Sequence, residues 1–96
     1  MAFMKEKIIY KSDKTLVYIN QCHNKGKKTR LYVVRRDDQI GLGHLIGAIK
    51  WDGAWRQYVH YPEPNTKWSG SCQIAIAEFC IARTIEEYAK WKKLKK

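Results

Sequence analysis

A chain of 96 residues with 45% apolar content makes one domain with one small core. At this size only ~60–65% of the unfolded surface is buried, which leaves little room for a deep catalytic cleft. The formal net charge of +10 favours an anionic partner, nucleic acid or an acidic protein surface, ahead of a membrane surface.

The expected organisation is a single unit over 1–96: a β-meander over 1–61, a helix over 69–93 and a frayed basic tail at 94–96. Residues 5–20 read as two strands around a Ser12-Asp13-Lys14 turn. Ile8, Ile9 and Tyr10 supply the first strand, and Leu16, Val17, Tyr18 and Ile19 the second. Asp13 is expected to hold the turn through its side chain. Residues 21–29 form a polar loop punctuated by Asn24 and Gly26. A third strand, Arg30 to Arg36, places Leu31 and Val33 on one face and Tyr32 and Val34 on the other. Asp37-Asp38 ends it, and Gly41 and Gly43 permit a bend.

The best specified stretch is His44 to Tyr61, two strand-like runs about Asp52-Gly53. Asp-Gly between alternating apolar residues predicts a two-residue primed turn. Leu45, Gly47, Ile49 and Trp51 then share a face with Arg56, Tyr58 and His60. Ile46, Ala48 and Lys50 share the other with Trp55, Gln57, Val59 and Tyr61. Gly47 marks a bulge or a close approach of another element. Trp51 and Arg56, nearly opposite each other, are expected to form a cation–π pair.

Pro62 and Pro64 stop the strand. Ser69 or Ser71 caps the helix that follows. Its stripe is Ile74, Ala77, Ile81, Thr84, Tyr88 and Trp91, widened by Ile76, Phe79 and Cys80. Glu86 and Lys90 form a supporting i,i+4 pair. The fold class is therefore α+β: an antiparallel sheet of four to five strands with one long C-terminal helix packed on it. No signal peptide or membrane span is read from the chain. Cys22, Cys72 and Cys80 make no disulfide framework, which fits a reducing cytoplasm.

Several constellations bear on function. Between Asp13 and Asp37 there is no acidic residue, while Lys14, Lys25, Lys27, Lys28, Arg30, Arg35 and Arg36 all fall there. This basic arm would neutralise phosphates, with Tyr32, Trp51, Trp55 or Tyr58 stacking on bases. The plainer alternative is a solvated hairpin tip beside an aromatic core. Trp55 and Arg56 also suit a protein interface. The helix is too apolar in girth for one sheet to cover, so Ile81, Ile85, Tyr88 and Trp91 point to a homodimer or another protein partner, unless the N-terminal strands or the proline loop cover them.

Catalytic and cofactor signals are poor. Cys22, His23, His44, His60, Cys72 and Cys80 form a soft-ligand pool, but no C-x-x-C or H-x-x-x-H pair stands among them. Cys72 beside His60 is the one plausible nucleophile–base pair, and a buried structural cysteine explains it more simply. Gly41-x-Gly43 is no phosphate fingerprint. No metal and no cofactor is expected, and no enzyme.

The string Ile46-Gly47-x-Ile49-x-Trp51-x-x-x-Trp55-Arg56-Gln57-Tyr58-x-x-Tyr61-Pro62, then Thr66, then Cys72-x-x-x-Ile76-Ala77-x-Phe79, resembles a family of small, mostly uncharacterised phage, prophage and bacterial proteins. It covers roughly a third of the chain, residues 46 to about 80. Gln73 and Ala54 depart from the pattern, where an apolar residue and a proline are usual. The resemblance implies a hairpin followed by a helix and a mobile-element origin, with location in the host cytoplasm if the chain is virus-encoded. It implies no activity and transfers no catalytic residue. The expected function is a basic, non-enzymatic binding protein acting on nucleic acid or an acidic protein surface. The alternative is a protein–protein module or homodimeric inhibitor or accessory factor acting on a host complex.

Overall fold

The computed structural model describes residues 5–22, 24, 26, 28–37 and 44–94. Lys25 and Lys27 of the basic arm, with His23, Asp38, Gly41 and Gly43, lie outside the described residues. Five strands run in chain order, β1 (Lys5–Lys11), β2 (Leu16–Cys22), β3 (Leu31–Asp37), β4 (His44–Asp52) and β5 (Gln57–Pro62), followed by one helix, α1 (Gly70–Leu94). Each strand pairs antiparallel with the next, so the sheet order is the sequence order. The chain is α+β, and α1 touches both outer strands, β5 and β1, so the sheet curls around it.

Alternation decides what faces the helix. Val17, Ile19, Tyr32, Val34, Ile49 and Tyr58 point inward and meet Ile76, Phe79 and Cys80 in one core. Each such buried apolar side chain contributes ~1.5–3 kcal/mol. A chain of edge-on rings links helix to sheet: Phe79 to Tyr32 at 4.9 Å, Tyr32 to Tyr58 at 6.1 Å, Tyr58 to Trp51 at 5.4 Å and Trp51 to Trp91 at 5.1 Å.

The first turn is organised by Ser12 rather than Asp13. The Ser12 hydroxyl accepts from the Lys14 and Thr15 N–H groups, and the Ser12 N–H donates to the Thr15 carbonyl at 2.8 Å. Ser12 sits at the position from which a side-chain oxygen reaches the amides two and three residues on; Asp13 is already inside the turn.

The central hairpin closes differently from a two-residue Asp-Gly turn. Asp52 pairs with Gln57, leaving 53–56 as the loop. Asp52 Oδ1 accepts from the Ala54 and Trp55 N–H groups at 2.9 and 3.0 Å, and its carbonyl accepts from the Arg56 N–H at 2.7 Å. The positive φ falls on Arg56, at 56°, not on Gly53. A four-residue loop built on these bonds satisfies more amides than the tight turn would. The closure changes by an even number of residues, so the faces are those that alternation assigns, while the partners shift. Tyr58 takes the place opposite Trp51, and Arg56 lies in the loop, so the expected Trp51–Arg56 pairing gives way to Trp51–Tyr58.

Gly47 is a site of close approach: a Cβ there would lie 2.5 Å from His60 Nε2. A register shift opposite Val34 and Arg35 places a bulge beside it.

Ser69, not Ser71, caps α1. Its Oγ accepts from the Cys72 N–H at 3.2 Å and its carbonyl from the Gln73 N–H at 3.0 Å. The helix is turned relative to the expected stripe. Cys72, Ile76, Phe79, Cys80 and Glu87 are buried, while Ile74, Ala77, Ile81 and Ile85 are exposed. The cause is polar. The inward Tyr58 hydroxyl needs an acceptor, and Glu87 Oε1 supplies it at 2.8 Å. Counting apolar residues alone points the wrong side inward. Glu86 accordingly pairs with Arg83 at 3.0 Å and Lys90 with Glu87 at 3.8 Å, in place of the expected Glu86–Lys90 pair. Among the described residues no helix is long and apolar enough to cross a membrane.

Candidate binding surfaces

The described cations of the basic arm do not act alike. Lys14 is exposed on the β1–β2 turn, and Lys28 is exposed on the β2–β3 loop. Arg30 is a strut between sheet and helix. Its Nη1 lies 3.5 Å from Glu86 Oε1 and 3.5 Å from the Tyr32 hydroxyl, while its N–H donates to the Tyr58 hydroxyl at 3.0 Å. Arg35 and Arg36 alternate across β3 and so face opposite sides of the sheet.

The side of the sheet away from α1 is a broad face. One row across it reads Val33, Ala48, Tyr61, and the next reads Leu31, Lys50, Val59. Arg35 continues it, between Tyr18 and Leu45. Lys50 Nζ stands 4.8 Å above the Tyr61 ring. The Tyr61 hydroxyl donates to Asp52 Oδ2 at 2.8 Å. That bond holds the Asp52 carboxyl below its ordinary value and the Tyr61 phenol above its own. At the other end of the face, the Tyr18 hydroxyl donates to Asp37 Oδ1 at 2.9 Å. The aromatic supply for base stacking is thereby redrawn. Tyr32 and Tyr58 are buried against the helix and Trp51 packs on Tyr88 and Trp91, which removes three of the four rings expected to stack. Trp55, 70% exposed on the loop, and Tyr61 remain.

Arg36, on the helix side, shares a hollow with Lys67, which nothing in the local sequence pattern marks. Arg36, Lys67, Asn65 and Thr66 line this space of about 290 Å³ with Trp68 and Cys72, beside the first turn of α1. Lys50 and Tyr61, in contrast, are placed together by alternation alone.

A second concavity, of about 590 Å³, runs between β5 and α1. Trp55, Val59, Pro62, Trp68, Ala77 and Ile81 line it along with His60 and Cys80. The β5 edge beside it is closed to strand addition at three points. The Tyr58 N–H donates to Thr84 Oγ1 at 2.9 Å, the Arg56 carbonyl accepts from the Tyr88 hydroxyl at 2.8 Å, and Pro62 has no N–H. Of the expected interface residues, Ile81 and Ile85 are exposed. Tyr88 is exposed but tethered to Arg56, and Trp91 is half-buried on Trp51.

Cys72 is buried, and the His60 ring packs edge-on to Trp68 at 4.8 Å. Burial lowers the His60 pKa and pushes the Cys80 thiol up to about 11. Both shifts favour the neutral forms of these two side chains. All three cysteines are free thiols. Among the described residues no three His, Cys, Asp or Glu side chains converge on a metal position. No family model, curated protein or solved structure matches the chain.

Proposed function

We propose that this protein is a basic, non-enzymatic nucleic-acid-binding module that engages the phosphate backbone through the β2–β3 arm and the sheet face away from α1. The observation that carries the reading is continuity of charge. The acid-free stretch runs from Lys14 on the β1–β2 turn to Arg36 on β3, and Arg35, Lys50 and Tyr61 lie on the sheet face away from α1. Lysine and arginine neutralise phosphates, and Tyr61 and Trp55 supply rings on which unpaired bases stack. The resemblance of residues 46 to about 80 to small phage, prophage and bacterial proteins is the ground for proposing a mobile-element source and action in a host cytoplasm.

Binding of a fluorescent single-stranded oligonucleotide, followed by anisotropy from ~50 to ~200 mM salt, tests this. Affinity is expected to fall steeply and linearly on logarithmic axes. Replacing Lys28, Arg35 and Lys50 by alanine should weaken binding to all sequences and shallow the salt slope by ~1 for each phosphate no longer neutralised. Arg30 is left intact, because its removal would also loosen the helix. Unchanged affinity and slope in the triple variant would sink the proposal; retention of an acidic protein instead of the oligonucleotide would replace it with the protein-surface reading.

A further inference from the structure

The outward side of α1 carries its own apolar seam, separate from the core-facing one. Ile74, Ala77, Ile81 and Ile85 recur there at spacings of three and four, as on a helix that packs along a second helix, while Thr84 and Tyr88 beside them are held by the Tyr58 N–H and the Arg56 carbonyl. Ile74, Ile81 and Ile85 are 60–64% exposed. Isoleucine so placed on a helix that already buries a full opposite side has no role in the monomer core. Trp55 reaches the same area, since it shares the β5–α1 groove with Ile81.

We infer that this seam is a self-association surface, on which α1 of a second copy of the chain lies antiparallel about a two-fold axis near Ile85. Charge selects the orientation. Glu78 and Lys92 are both exposed and lie on the seam's flank, seven residues either side of Ile85. An antiparallel pair centred on Ile85 sets each Glu78 against the other copy's Lys92, twice by symmetry. It brings Ile85 onto its own counterpart and Ile81 within a turn of the other copy's Tyr88. A parallel pair would instead stack Lys90, Lys92 and Lys93 against the same residues. Antiparallel packing also sets the helix dipoles in opposition. The exposed parts of Trp55, Ile81, Ile85 and Tyr88 amount to on the order of 500 Å², somewhat more than half of the ~800 Å² that each partner contributes to a standard interface. Strand addition is the competing route to a dimer, and it is disfavoured at both edges. β5 is capped as described, and β1 carries two register irregularities with Lys7 and Lys11 exposed along it.

This inference goes beyond the nucleic-acid reading and is separable from it by the sign of its salt dependence. Two copies of charge +10 repel, so added salt should tighten the dimer several-fold, whereas it weakens phosphate binding. Sedimentation velocity of the full chain, from micromolar to ~0.5 mM protein in low and high salt, provides the measurement. The wild type is expected to dimerise, more tightly at high salt. Ile81→Glu with Ile85→Glu should give a monomer whose circular dichroism and melting temperature match the wild type. Glu78→Lys or Lys92→Glu alone should loosen the dimer in low salt, and the two together should restore it. A wild type that stays monomeric at the highest concentration in both salts overturns the inference. So does a dimer that survives the double glutamate variant, and a charge swap that fails to restore association excludes the antiparallel register.

Discussion

Tyr58→Phe removes one oxygen from the interior and breaks two bonds, one joining the sheet to the helix and one joining β5 to the start of β3. The hydroxyl donates to Glu87 Oε1 at 2.8 Å and accepts from the Arg30 N–H at 3.0 Å. Tyr58 is 3% exposed and Glu87 4%, so solvent neither screens the pair nor replaces it. Burial and the hydrogen bonding around it hold the Tyr58 pKa at about 12, so the hydroxyl remains a donor throughout the usual pH range. A hydrogen bond to a charged group contributes ~1.5–3 kcal/mol, and an orphaned buried N–H adds ~1 kcal/mol or more. The expected loss is about 2–4 kcal/mol, a large share of the ~5–15 kcal/mol of a domain this size. Urea unfolding should show a lower midpoint at unchanged slope. Glu87→Leu leaves the hydroxyl without its acceptor, while the double variant removes both partners, so the double should cost less than the two singles summed, with a coupling of ~1 kcal/mol or more. A Tyr58→Phe midpoint indistinguishable from wild type, or additive singles, would refute the argument that this bond sets the helix's rotation.

Three further perturbations follow from the packing. Gly47→Ala puts a methyl 2.5 Å from His60 Nε2, so the His60–Trp68 contact must yield, at a cost of ~1–3 kcal/mol in urea unfolding; His60→Ala in the same chain should recover most of it. Burial depresses the His60 pKa in the folded state, so the unfolded chain takes up its proton first as pH falls. The stabilisation is complete above ~6.5 and is lost as pH drops from there through the lower folded value. Urea midpoints should therefore decline over that window in the wild type, and the decline should shrink in His60→Gln. Thiol labelling of the native protein should modify the half-buried Cys22 first and Cys80 last, since burial holds the Cys80 thiol up to about 11; equal rates at all three would contradict the packing of α1.

Much of the fold is written in alternation and turn chemistry. The strand runs, the face assignment of β4 and β5 and the helix from the Ser69 region all follow from local patterns. Two features do not. The loop at 53–56 turns on Asp52 reaching two amides and on Arg56 accepting a positive φ, which the Asp-Gly pair masks. The rotation of α1 depends on Glu87, a residue whose charge reads as solvent-facing until Tyr58 is known to sit beneath it. The binding surfaces are legible to the same degree. Lys50 and Tyr61 share a face by parity, whereas Lys67 joins Arg36 only because the proline loop folds back toward the start of α1. Trp55 stands apart from the buried rings because it lies in the 53–56 loop, exposed to solvent.

The sheet-then-helix order has a consequence for synthesis. Every strand leaves the ribosome before α1 does, and each pairs only with its predecessor or successor. The meander can therefore zip up strand by strand during translation. Until the segment from Gly70 to Leu94 follows, however, Tyr32, Val34, Ile49 and Tyr58 face water on an uncovered curl. A chain cut before that segment would leave this apolar surface exposed and prone to aggregation or proteolysis, so the helix is the lid that the meander requires.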